Sequence, residues 1–132
     1  MKPQWILVAN ASLARLFSRD SPTDPLVSLA PMEHPESRLK GSELADDRPG
    51  RRKEHQRFAR EIAERLDTGL AAGEFSTLWL FASSPFLGEL KAQLSDAVDK
   101  RLQLALDSDF TSFGLAEIEQ RLRDQRGLSS NR

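Results

Sequence analysis

Four bases fall within the six residues 48–53: Arg48, Arg51, Arg52 and Lys53, with Arg57 and Arg60 following at helical spacing. A guanidinium presents a planar fork of donors that matches a phosphate or a carboxylate at two points, whereas a lysine acts as a point charge. Such a cluster suits an RNA backbone or another phosphate-bearing surface. The same stretch carries Glu43, Asp46 and Asp47. The arginines can equally well pair with these acids and leave a solvated, self-neutralised loop. Pro49 and Gly50 would give that loop a defined bend, and Glu43, Asp46 and Asp47 would shape it.

The cluster belongs to a longer polar run, residues 33–55, with six acids and six bases. Its apolar content includes Leu39 and Leu44 and no aromatic residue, so it cannot build a core of its own. A long polar loop carried by a compact scaffold is either functional or disordered. The expectation is a loop over 33–53.

Other residue types carry weaker chemistry. His34 and His55 bracket the loop without the tight spacing of metal-binding histidine pairs. By helical count His55 falls toward the apolar side of its helix. Asp46 and Asp47 offer oxygen ligands suited to magnesium. An acidic nuclease site would need carboxylates at strand ends, and the first strand ends at Asn10. Asp107 and Asp109 read as turn and cap residues. Ser12, Ser83 and Ser84 lack a nucleophile motif, and no phosphate-cradling glycine loop is present. Neither a metal nor a cofactor is expected. Trp5, Phe58, Trp79 and Phe81 sit in apolar runs and read as core. Phe86 and Phe113 are the better candidates for exposed stacking rings.

The elements that must position these residues follow from hydropathy. Residues 5–9 and 78–82 are continuous apolar runs, as in strands buried on both faces, and should be central and adjacent. Residues 14–19 return as an antiparallel neighbour after a short connection. Residues 26–30 read as a third strand, placed at a sheet edge by Pro31. Phe58, Ile62, Leu66 and Leu70 recur every four residues, giving a helix from about Lys53 to Ala72 with Lys53, Arg57 and Arg60 on its polar face and Gly73 as its stop. Arg57 with Glu61, and Glu61 with Arg65, are candidate i,i+4 pairs. Ser84 and Pro85 read as N-cap and first turn of a helix carrying Leu87, Leu90, Leu94 and Val98. Leu102, Leu104 and Leu106 alternate as a half-buried strand, and Leu115, Ile118 and Leu122 mark a last helix. The order β-β-β-loop-α-β-α-β-α predicts an α/β three-layer sandwich with a mixed sheet. One domain is expected over 1–126, with a flexible polar tail over 127–132.

Composition narrows the function classes. The chain has 132 residues, 39% hydrophobic and 30% charged, with a net charge of -1. That balance argues against general coating of nucleic acid, which needs uncompensated bases, and leaves room for a local basic patch. There are no cysteines, which excludes a disulfide framework, a zinc ribbon and a thiol nucleophile. No apolar run near the start is long enough for a signal-peptide core or a membrane helix, so the expected location is cytoplasmic without membrane insertion.

Several pieces together carry a family likeness: Trp5-Ile6-Leu7-Val8-Ala9-Asn10, Ala14-Arg15-Leu16-Phe17, His34-Pro35-Glu36, Asp46-Asp47-Arg48-Pro49-Gly50-Arg51, Pro85-Phe86-Leu87-Gly88-Glu89-Leu90 and the segment 107–111. On these the chain resembles the bacterial family described as proteins required for attachment to host cells, over nearly its whole length. The Asp-Arg-Pro-Gly stretch is the most specific part. More distantly, the order of elements is similar to the middle domain of the archaeal and eukaryotic peptide-chain release factor, which implies a ribonuclease H-like sheet. In that domain a Gly-Gly-Gln loop lies between a strand and a long helix, the position taken here by residues 48–52 ahead of Gln56. No Gly-Gly-Gln occurs in this chain, so the backbone freedom that motif supplies is missing and an enzymatic role is not expected. The resemblance implies a non-enzymatic partner of the ribosome or of tRNA, with Arg48, Arg51 and Arg52 on phosphates. The alternative is a protein-interaction module that affects attachment to host cells or surfaces without binding nucleic acid.

Overall fold

The computed structural model describes residues 3–21, 23–29, 32–33 and 49–129. Among them six strands form one mixed sheet: β1 (Gln4–Ala9), β2 (Leu13–Arg19), β3 (Val27–Ser28), β4 (Met32–Glu33), β5 (Thr77–Ala82) and β6 (Leu102–Asp107). The order across the sheet is β3-β2-β1-β5-β6, with β4 also pairing with β2. The helices are α1 (Pro49–Ala71), α2 (Phe86–Gln93), α3 (Asp96–Asp99) and α4 (Leu115–Ser129).

The two apolar runs pair as expected. β1 lies parallel to β5 in unbroken register from Gln4 opposite Thr77 to Ala9 opposite Ala82. β2 returns antiparallel to β1. Alternate β1 residues then serve two cores. Trp5, Leu7 and Ala9 face Phe58, Ala59, Ile62 and Leu66 of α1, with Phe86 and Leu90 of α2 and Val98 of α3. Ile6 and Val8 face Ile118 and Leu122 of α4, with Phe81 and Phe110. Helices cover both faces of the sheet, which makes the sandwich three-layered. Each large apolar side chain fully buried in these cores contributes about 1.5–3 kcal/mol before entropy is counted.

α1 ends where Gly73 takes a positive φ of 75°. The Gly73 amide bonds the Leu70 carbonyl and the Glu74 amide bonds the Gly69 carbonyl, the paired closure that glycine at this position allows.

Five details differ from the sequence expectation. The third strand is two short pieces, β3 and β4, and Glu33 lies in a strand rather than in the loop. α1 starts at Pro49, so residues 49–52 are its first turn; proline fits there because its missing amide would be unpaired anyway. The helix after β5 begins at Phe86, capped by Pro85 without a side-chain bond, because Ser84 directs its hydroxyl to Asp107. That helix stops at Leu94, which is extended, and Ser95 caps α3 by accepting the Val98 amide while its hydroxyl bonds Asp67 of α1. α4 continues over Gly127 to Ser129, into the stretch expected to be tail.

Candidate functional site

In open α/β sheets, ligands gather beyond the carboxyl ends of the parallel strands, where loops and helix starts converge. Here that edge is set by β1, β5 and β6. Asn10 leaves β1 and organises the turn into β2: its Oδ1 accepts the amides of Ser12 (2.8 Å) and Leu13 (2.9 Å). Its Nδ2 donates to Asp109 Oδ2 (3.1 Å) and Thr111 Oγ1 (3.0 Å) in the segment after β6. Asp109 also accepts the Thr111 amide and hydroxyl. Burial works to raise the Asp109 carboxyl, and the bonds from Thr111 and Asn10 outweigh it and hold the group below its ordinary value. Beside it, Asp107 accepts the Ser84 hydroxyl (2.7 Å) and amide (3.0 Å), which pull its carboxyl down as well. Arg15 closes the arrangement from β2, donating to the carbonyls of Thr111 (3.1 Å) and Phe113 (2.6 Å). Asn10 and Arg15 thus tie β1 and β2 to the loop that leaves β6, and Ser84 ties the chain just past β5 to the last residue of β6.

α1 begins at the same edge. It runs opposite to β1 and β5, so its late residue Gly69 meets Trp5 near the start of β1. Its early residues Phe58 and His55 meet Phe86, just past the end of β5, at ring separations of 5.7 and 6.5 Å. The first half of α1, residues 49–60, carries five bases (Arg51, Arg52, Lys53, Arg57, Arg60) against one acid, Glu54. The second half carries Glu61, Glu64 and Asp67 against Arg65. No acid lies in the first turn and no base in the last. This gradient is the reverse of what a helix prefers, because its N-terminus already bears partial positive charge. Each misplaced charge near an end costs about 0.3–1 kcal/mol. Bases at the start of a helix, where the backbone amides are unpaired, suit an anion such as phosphate.

Lys53, Gln56, Arg57 and Arg60 are exposed on the face away from the sheet. Pro49, Gly50, Arg51 and Arg52 form the first turn of α1. Arg48, Glu43, Asp46, Asp47 and His34 lie outside the described residues, as does most of the 33–53 loop. His55 is part-buried against Phe86, as the helical count indicated. Of the two candidate stacking rings, Phe86 is buried at 2% exposure, and Phe113 is half-buried, stacked on Phe110 (5.4 Å) beneath the Arg121 guanidinium (5.1 Å). Arg65 reaches across to Glu74 (3.5 Å) and lies over Trp5 (4.8 Å). The sequence reading assigned Asp107 and Asp109 to turn chemistry and missed that they join Asn10 and Ser84. The available signal was position: each follows or ends an apolar strand run. Among the described residues no three His, Cys, Asp or Glu side chains are grouped so as to hold a metal ion, and no helix is long and apolar enough to cross a membrane.

The model of one protein family, described as protein required for attachment to host cells, matches residues 5–122. No curated protein matches the chain. Similar solved structures include one described only as an archaeal protein, with a TM-score of 0.51 at 12% identity over 98% of this chain and 38% of that one. They include also the archaeal translation termination factor aRF1, with a TM-score of 0.50 at 14% identity over 98% of this chain and 39% of that one. The S. cerevisiae protein Dom34, a translation termination-like factor involved in RNA quality control and interacting with Hbs1, has a TM-score of 0.49 at 12% identity over 92% and 35% of the two chains. The chain spans about two fifths of the length of the first two. At such identities the likeness is one of fold, and the fold is release-factor-like.

Proposed function

We propose that this chain, which belongs to the family of proteins required for attachment to host cells, is a non-enzymatic binding protein that docks on ribosomal or transfer RNA through the start of α1. The observation that carries the reading is the reversed charge gradient of α1, basic in its first half at the carboxyl edge of the parallel strands. A gradient that opposes the helix dipole lowers stability, and an anionic partner at that end would turn it into an attraction. Arg48, Arg51, Arg52, Lys53 and Arg57 contact phosphates, joined by Arg60. Pro49 and Gly50 start the helix, and Glu43, Asp46 and Asp47 shape the approach to it. The likeness in fold to a translation termination factor is compatible with a ribosomal partner, and the absence of Gly-Gly-Gln speaks for binding without peptidyl-tRNA hydrolysis. On this reading the protein is cytoplasmic, and residues 1–126 act as one unit with a ribonuclease H-like sheet.

The family description favours a second reading, in which the same surface holds an acidic protein partner and affects attachment indirectly. Co-sedimentation with ribosomes over a salt series separates the two. The wild-type chain should bind at low salt and weaken as salt rises. A Lys53→Glu/Arg57→Glu/Arg60→Glu variant should lose binding, and removal of each phosphate-binding base should flatten the salt slope by roughly 0.7–0.9. An Arg48→Ala/Arg51→Ala/Arg52→Ala variant should behave alike. Absence of binding by the wild-type chain to ribosomes and to tRNA at low salt would sink the RNA reading and leave the protein partner.

A further inference from the structure

β6 has the composition of an inner strand and the position of an outer one. Leu102 and Ala105 pack toward the α1 side, and Leu104 and Leu106 toward the α4 side. Apolar residues on both faces are typical of a strand with neighbours on both sides. In β1 and β5 such residues are fully buried, whereas all four of these remain part-exposed. One edge of β6 pairs with β5, and among the described residues no strand pairs with the other. Ile118 and Leu122 of α4 share a core with Ile6, Val8, Phe17 and Phe81, against which Leu104 and Leu106 pack from one face, and Glu119 accepts the Leu26 amide (3.0 Å) at the far side of the sheet.

Exposed edges are ordinarily guarded by lysine, proline or inward charge. Residues 102–106 contain none of these. One irregularity is present: the register jumps so that Leu78 faces Leu102 and Trp79 faces Leu104. Gln103 is the extra residue, and its Oε1 accepts the Trp79 Nε1 proton (3.3 Å). Residues 104–107 beyond it keep regular register.

The charges say what fits this edge. Lys100 and Arg101 lie at its start, Asp107 and Asp109 at its finish, all exposed, with no charge between. A second β6 running antiparallel brings each basic end to the partner's acidic end, whereas a parallel one sets like against like. We propose that β6 pairs antiparallel with β6 of a second copy of this chain, about a twofold axis at Ala105. In that register the small Ala105 meets its own copy, and Leu104 meets Leu106 of the partner subunit on the α4-side face. The two sheets become one, and four part-exposed apolar residues per copy are covered.

The first experiment measures mass by light scattering over a concentration series of the full chain. Dimers are expected, dissociating as salt rises. Lys100→Glu/Arg101→Glu changes two exposed side chains, leaves the cores alone, and should weaken dimerisation by about tenfold or more, as like charges then face each other across the axis. Because the chain has no cysteine, Ala105→Cys should give a disulfide-linked dimer and Arg101→Cys should not, since paired residues must lie within roughly 7 Å between Cα atoms. Cross-linking at both positions would mean parallel pairing and overturn the proposal. A monomer at all concentrations would also overturn it, as would protection from hydrogen exchange, in the monomer, of the β6 amides that point away from β5, which would mean that the chain covers its own edge. The α1 charge variants should leave the dimer unchanged, so this result is separable from RNA binding.

Discussion

Gly69 lies in α1 directly against the indole of Trp5, and replacing it with alanine tests the packing of that helix on the sheet. On an exposed helix surface Gly→Ala is stabilising by about 0.8–1.0 kcal/mol, because glycine loses more backbone entropy. Here a Cβ would meet Trp5 Cη2 far inside van der Waals contact, with Cζ3 at 2.7 Å and Cζ2 at 3.2 Å. The ring has nowhere easy to go. It is 2% exposed, stacked on Phe75 at 4.5 Å, and overlaid by the Arg65 guanidinium at 4.8 Å. Overpacking in a filled core costs about 1–3 kcal/mol, and a rigid two-ring obstacle belongs at the upper end. Subtracting the propensity gain leaves a net destabilisation of about 2 kcal/mol. For a chain of this length that corresponds to a loss of roughly 6–10 °C in Tm. Urea unfolding followed by far-UV circular dichroism measures it, and tryptophan fluorescence reports Trp5 and Trp79 in parallel. The double variant Trp5→Phe/Gly69→Ala isolates the cause: with the smaller ring, the alanine should become neutral or mildly stabilising. A Gly69→Ala chain more stable than the wild type would refute the packing described for α1 on β1.

Other substitutions read the carboxyl edge and the α1 gradient. The Asp107 carboxyl is held below its ordinary value by Ser84, so its contribution is whole above the ordinary carboxylate range, about pH 4, and is lost as pH falls through the lowered folded value. The gap in urea midpoint between wild type and Asp107→Asn should therefore shrink on acidification, and Ser84→Ala should move the Asp107 titration, followed by carboxyl NMR, back upward. Asn10→Ala strips acceptors from the Ser12 and Leu13 amides and donors from Asp109 and Thr111. It should cost about 1–3 kcal/mol and raise hydrogen exchange at those two amides; unchanged exchange would count against the turn. Arg52→Glu, in the first turn of α1, should raise stability by roughly 0.3–1 kcal/mol while lowering ribosome binding. A variant that loses both would mean that the charge serves the fold.

The central strands were legible because both faces of residues 5–9 and 78–82 are apolar, a pattern that suits strands covered on both sides. Gly73 was legible because the left-handed turn there has a strong residue preference. β6 was half legible. Strict alternation puts Leu102, Leu104 and Leu106 on one face, but the extra residue Gln103 sends Leu102 to the α1 side and the other two to the α4 side. A bulge depends on the partner strand and leaves no local mark. The break at Leu94 was hidden for a similar reason, since the α3 cap at Ser95 is anchored by Asp67, far away in sequence. Ser84 and Pro85 made a good local cap, and a carboxylate 23 residues away took the serine instead. At the site, the exposed bases Lys53, Arg57 and Arg60 could be read from periodicity. The Asn10, Asp109 and Thr111 network could not, because it joins residues 99 and 101 positions apart.

β1 has two neighbours of very different origin. β2 follows it within a few residues, whereas the β5 residues that complete its other side stand 73 positions along the chain, as Gln4 and Thr77 do. The β1–β2 hairpin can close in microseconds, but its parallel partner must first be brought back across α1 and everything before it. Such distant pairing slows folding, because loop entropy is given up before any pairing energy is returned. During synthesis the hairpin emerges with one side of Ile6, Leu7 and Val8 already arranged and the other edge open until residues 77–82 arrive. That interval exposes the most apolar strand of the protein to other nascent chains. The closing entropy rises only as the logarithm of length, so a few residues added between β4 and α1 would delay this step little.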